Sequence, residues 1–140
     1  MAVVLTPGEC LRARADVLRA EFKRGGVLQD RVLAYLRYLL VQISQTAACN
    51  RVHALDKRLA RWLLMIQSRV QTREFQMTHE VLSSTVGAPR SEVTITAGML
   101  RKAGLIRYTR GRITLLDRKG LESAACECYR IVAEELRSVK

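Results

Sequence analysis

The chain has 140 residues, 49% hydrophobic and 26% charged, a length and balance that suit one globular domain and exclude a disordered polymer. Lysine and arginine number 24 against 13 acids, a net charge of +11, and 19 of those cations are arginine. The excess points to a polyanion, nucleic acid before an acidic membrane, and it is concentrated: residues 51–118 carry +8, against +3 before them and zero after. Arginine is also the side chain best suited to bidentate phosphate and guanine contacts.

The longest apolar stretch, Val32 to Ile43, is broken by Arg37 and falls short of the ~20 residues that span a bilayer. The first residues show neither a charged n-region nor a long apolar h-region, so no signal peptide is expected. Four cysteines (Cys10, Cys49, Cys126, Cys128) in a chain without export signals are expected to be reduced, and the cytoplasm is the expected location.

In chain order, the opening up to Pro7-Gly8 reads as a short strand or coil ended by a turn. Ala15 to Lys23 is weakly amphipathic, with Val17, Leu18 and Phe22 on one side, and Gly25-Gly26 stops it. A stronger helix is expected from about Val27 to Cys49, with Asn50 as the break. Leu33, Leu36, Leu40, Ile43 and Ala47 are spaced 3, 4, 3 and 4, a coiled-coil seam, and Val32, Tyr35, Leu39 and Thr46 form a second stripe beside it. Two apolar faces need two partners: a second copy of the helix and the rest of the chain, or both within one monomer. His53 to Val70 is again amphipathic, with Leu55, Leu59, Trp62, Leu63 and Ile66 on one face and Lys57, Arg58, Arg61 and Arg69 mainly elsewhere. Thr72-Arg73-Glu74 reads as a polar connector.

From Met77 the pattern tightens. Thr78 can N-cap a short helix, His79 to Thr85, with Leu82 and Val86 inward. Ser83 offers a small side chain for close helix approach, Gly87 a turn with positive φ, and Pro89 the first position of a second helix. That helix runs to Gly104, with Val93, Ala97 and Leu100 inward. Leu105 to Thr109, Arg110-Gly111, and Arg112 to Leu116 then read as a hairpin with a basic tip. A helix-turn-helix joined to such a hairpin is a winged helix. Asp117 caps a last helix expected to reach about Arg137, with Leu121, Ala125, Cys128, Val132 and Leu136 on its buried stripe. The expected fold class is mainly α with a small β-hairpin wing, a winged helix-turn-helix preceded by a long dimerisation helix.

Three stretches carry a family resemblance: Gln45-Thr46-Ala47-Ala48-Cys49-Asn50-Arg51, Arg58-Leu59-Ala60-Arg61-Trp62-Leu63-Leu64, and Met77-Thr78 through Gly104-Leu105-Ile106. From about residue 26 onward the chain resembles the C-terminal half of Crp/Fnr-type bacterial transcription regulators. The resemblance implies a remnant of a sensor-domain tail over 1–25, a dimerisation helix over 26–50 and a winged helix-turn-helix DNA-binding domain over 51–140. It implies double-stranded DNA as partner, a homodimer through Leu33, Leu36, Leu40, Ile43 and Ala47, and room for RNA polymerase as a further partner. No membrane partner is expected. The family's sensor β-roll is largely missing, so no cofactor is expected and DNA binding is expected to be constitutive.

The resemblance places Arg90, in the first turn of the second helix, where family members contact base or phosphate. Ser91, Thr94 and Ile95 share its face of the helix, and Thr78, Arg107, Arg110 and Arg112 are the expected flanking and wing contacts. Ser91 and Ile95 replace the glutamate and second arginine of cyclic-nucleotide-responsive members, so the preferred operator should differ, and Thr96 replaces an inward apolar residue. The competing reading is an interaction protein that pairs with a full-length relative and modulates it.

No enzyme is expected. His53 and Asp56 share a helix face without a nucleophile, and His79 is expected to be exposed. Cys126 and Cys128, two apart on a helix, are expected to point apart with no His or second cysteine pair nearby, so they read as packing residues and no metal site is expected.

Overall fold

The computed structural model describes residues 9–139, so the expected opening strand or coil lies outside the described residues. Helix α1 (Ala15–Arg24) buries no residue, and Val17 and Leu18 stay exposed. Gly25 and Gly26 break the chain, and α2 (Val27–Val52) then runs 26 residues, past Asn50, to a C-cap at His53. No glycine or proline interrupts it, and Asn50 alone does not end it. Its inward residues are Tyr38 and Cys49, with Leu39 and Thr46 half-buried. Tyr38 packs with Met65 and Val132, and Arg69 donates to its hydroxyl at 2.6 Å.

Helix α3 (Leu55–Val70) is the centre of the domain. Leu59, Leu63, Leu64 and Ile66 are buried, and Leu55 and Trp62 pack half-buried against the same core. Around them sit α4 (His79–Val86), α5 (Arg90–Lys102) and a three-stranded antiparallel sheet in the order β1 (Glu74–Gln76), β3 (Arg112–Leu115), β2 (Ile106–Thr109). Strand β1 falls where a connector is expected. Phe75 pairs with Ile113 and is buried, so a three-residue strand forms on the edge that β3 offers, a tertiary effect invisible in so short a run.

The last expected helix is two. Asp117 caps α6 (Arg118–Ala124) by accepting from the Gly120 N–H at 3.0 Å, Ala125 turns extended, and α7 (Cys128–Arg137) starts afresh. Leu121, Cys128 and Val132 are buried as expected, with Ala125 and Leu136 half-buried. Helix α7 packs along α2, where Arg37 bonds both Glu135 and Ser138. No helix among the described residues is long and apolar enough to cross a membrane.

Candidate nucleic-acid interface

The sequence builds this face from two short helices and a turn. Thr78 caps α4, its hydroxyl accepting from the Val81 N–H at 3.3 Å, and Leu82 and Val86 bind α4 to the core. Gly87 sits at φ 64°, in the left-handed region that reverses the chain at low cost. Pro89, expected as the first helical residue, is instead the N-cap, with ψ at 143°. Helix α5 therefore begins at Arg90 and turns Val93, Thr96, Ala97 and Leu100 inward. Buried Thr96 donates to the Glu92 carbonyl at 2.8 Å, so its polarity is satisfied.

The outward face of α5 carries Arg90, Ser91, Thr94, Ile95 and Met99, all exposed, with Ile95 at 66%. Beside it the wing turns at Arg110-Gly111, with φ of 49° and 78°. Two successive left-handed residues make the tight primed turn that suits a twisted hairpin. Arg107, Arg110 and Arg112 project from this hairpin and are exposed. Arg112 is held to Glu74 at 2.9 Å, an exposed pair. Under α5, His79 stacks on Tyr108 with ring centroids 4.2 Å apart, and its Nδ1 lies 2.8 Å from the Thr94 hydroxyl, which itself donates to the Arg90 carbonyl. Burial first and the Arg90 charge second lower the His79 pKa, favouring the neutral ring.

Residues 57–124 match the Crp-like helix-turn-helix domain family. A 48-residue stretch is 46% identical to the transcriptional regulator SdrP of Thermus thermophilus, covering 34% of this chain and 24% of that protein. A Crp/Fnr-family regulator from Eubacterium rectale superposes with a TM-score of 0.59 at 26% identity, over 79% of this chain and 51% of that one. A CRP-family regulator from Thermus thermophilus gives 0.58 at 25% identity, over 64% and 49%. The helix-turn-helix segment is Crp-like. The chain spans about a quarter of the curated relative's length and about half of the solved ones. The proteins it resembles are described as transcriptional regulators.

Within the Crp-like domain, the geometry divides the expected site residues. Arg90, Ser91, Ile95, Arg107 and Arg110 are exposed and form no side-chain hydrogen bond or ion pair among the described residues, whereas Thr78, Thr94 and Arg112 are engaged in the contacts above. Sequence reasoning missed the layer beneath them. His79 is half-buried rather than exposed, and with Thr94, Gly98, Arg101 and Tyr108 it lines a groove between α5 and the wing. Only hairpin pairing brings Tyr108 over His79, 29 positions away, so local pattern held no signal for it.

Two further expectations fail. His53 caps α2 while Asp56 opens α3, so they share no helix face. Cys126 and Cys128 do not point apart: the break at Ala125 removes the helical geometry, and Cys49 and His53 meet them, with all four donor atoms within 4.8 Å of one another.

Proposed function

We propose that this chain regulates transcription by binding a two-fold operator as a homodimer. In this reading residues 26–50, which hold most of α2, form the dimerisation segment, residues 51–140 bind DNA, and residues 1–25 are the tail of a sensor. The observation that carries it is the N-terminal face of α5, where Arg90, Ser91 and Ile95 stand free beside the basic wing tip. A helix entering the major groove reads base edges with such N-terminal side chains, and dimers place two of them about 34 Å apart. Arg90 then takes guanine or phosphate, Ser91 and Thr94 hydrogen-bond to base edges or phosphate, and Ile95 meets thymine methyl groups. Thr78, Arg107, Arg110 and Arg112 hold phosphates, the last once Glu74 releases it.

The dimer rests on a second observation. Leu33, Leu36, Leu40 and Ile43 are 50%, 46%, 66% and 62% exposed, and Ala47 is exposed beside them. An apolar seam of this length is uncovered in the single chain, which favours a partner helix. Selection of bound sequences from a random duplex pool, with the mass of the complex measured, tests the whole reading. A palindromic consensus bound by two chains supports it. A pure chain that selects no sequence, yet pairs with a longer relative, would replace it with the interaction-protein reading.

A further inference from the structure

From the cluster of Cys49, His53, Cys126 and Cys128 we infer a structural zinc site that clamps the long helix to the back of the winged-helix domain. Cys49 and His53 are one turn apart at the end of α2, and Cys126 and Cys128 flank the start of α7. All four donor atoms lie within 4.8 Å of one another, and Cys49 Sγ is 3.5 Å from Cys126 Sγ. Four ligands around one tetrahedral zinc, with Zn–S near 2.3 Å, stand about 3.7 Å apart, so the set is slightly wide of closure. A cluster of several irons would spread its cysteines further than one ion does, and this compact set does not fit it.

The surroundings independently favour an anionic centre here. Gln45 Nε2 donates to Cys128 Sγ at 3.1 Å, an orientation that suits a thiolate. Glu127 lies 3.4 Å from His53 Nε2 and can hold the ring with Nδ1 toward the metal, as carboxylates orient zinc-bound histidines. Arg61 is only 2% exposed, pairs with no carboxylate among the described residues and leaves its Nε without a partner, while its Nη atoms donate to Thr46, one turn before Cys49 on α2. Three thiolates, a neutral histidine and Zn²⁺ carry one net negative charge, the counter-ion that a buried guanidinium requires. On binding, three thiol protons leave as three Zn–S bonds form, with no change of oxidation state. A groove lined by Arg118, Glu122, Cys126 and Arg130 gives the ion a route in.

Two of the ligands precede the 57–124 match and two follow it, so the ion would tie both ends of the domain together. The reduced full chain, titrated with Co²⁺ and then Zn²⁺, tests this without reference to DNA. One equivalent of Co²⁺ with intense tetrahedral bands and thiolate charge transfer, displaced by one equivalent of Zn²⁺, is expected for the native chain and for Cys10→Ser. Cys49→Ser and Cys126→Ser should lose it, and His53→Ala should bind at least tenfold more weakly. A chelator should lower the melting temperature of the native chain, a readout that does not depend on the variants folding. A native chain that takes up no stoichiometric Co²⁺ overturns the site. So does a metal-free Cys49–Cys126 disulfide in protein alkylated on isolation, and unchanged Co²⁺ affinity in His53→Ala removes histidine from the ligand set.

Discussion

Helices α2 and α5 both expose apolar side chains, but α2 exposes a contiguous apolar stripe and α5 a mixed, mostly polar face. On α5, Ile95 and Met99 make one short pair beside Arg90, Ser91 and Thr94, while the opposite face is locked into the core by Val93, Ala97 and Leu100. On α2, the exposed leucines follow one another at heptad spacing, and only Tyr38 and Cys49 of its 26 residues are buried. Scattered apolar exposure is ordinary, and a contiguous stripe calls for another surface. In the proposed reading, the first kind of exposure serves a ligand that is mostly polar and the second another helix.

The largest expected effect breaks the α2 side of this comparison. Replacing Leu36 and Leu40 together with Glu should give monomers in sedimentation and cost the operator complex about 10²–10⁴-fold in affinity, the usual worth of a second tethered site. The core Tyr38–Met65–Val132 cluster is untouched, so circular dichroism should keep its helical signal. A double variant that sediments as a dimer would mean that the seam faces something else.

On the α5 side, Arg90→Ala should weaken the selected operator by about 1–3 kcal/mol, with a smaller loss on random duplex, measured by titration at fixed salt. Equal losses on both would move Arg90 to the phosphates and leave the readout to Ser91, Thr94 and Ile95. Arg110→Ala sharpens the contrast within the same face. A wing-tip phosphate contact should weaken all duplexes alike and flatten the dependence of log K on log salt by about one unit.

The smallest effect is on pH. His79 is held below its ordinary pKa of 6.5 by burial and by Arg90, so between the folded and unfolded values the unfolded chain binds more protons. Its contribution to stability is therefore complete above pH 6.5 and is lost as pH falls through the folded value. The melting temperature of the native chain should drop more steeply than that of His79→Gln on acidification from pH 7 to 5. Parallel profiles would mean that the half-buried ring does not couple to folding.

Much of the candidate interface was legible because its signals are local. Thr78 as N-cap, Gly87 at positive φ, the Arg110-Gly111 turn and Asp117 as a cap each follow from one residue's side chain or lack of one, and each stands where the sequence puts it. The engagement of Arg112 by Glu74 was not legible, because it depends on β1, a strand too short to announce itself without its partner β3.

The sequence by itself therefore determined the helix-turn-helix, the wing and the free seam, since periodicity, capping and turn chemistry act within a few residues. Tertiary structure decided what lies between distant segments. It laid Tyr108 over His79, buried Arg61 of α3, and broke the last helix at Ala125. That break turns Cys126 and Cys128 toward Cys49 and His53, more than 70 positions earlier in the chain. Helical spacing alone sends two such cysteines apart, and only the packing of α7 along α2 brings the four donors to one point.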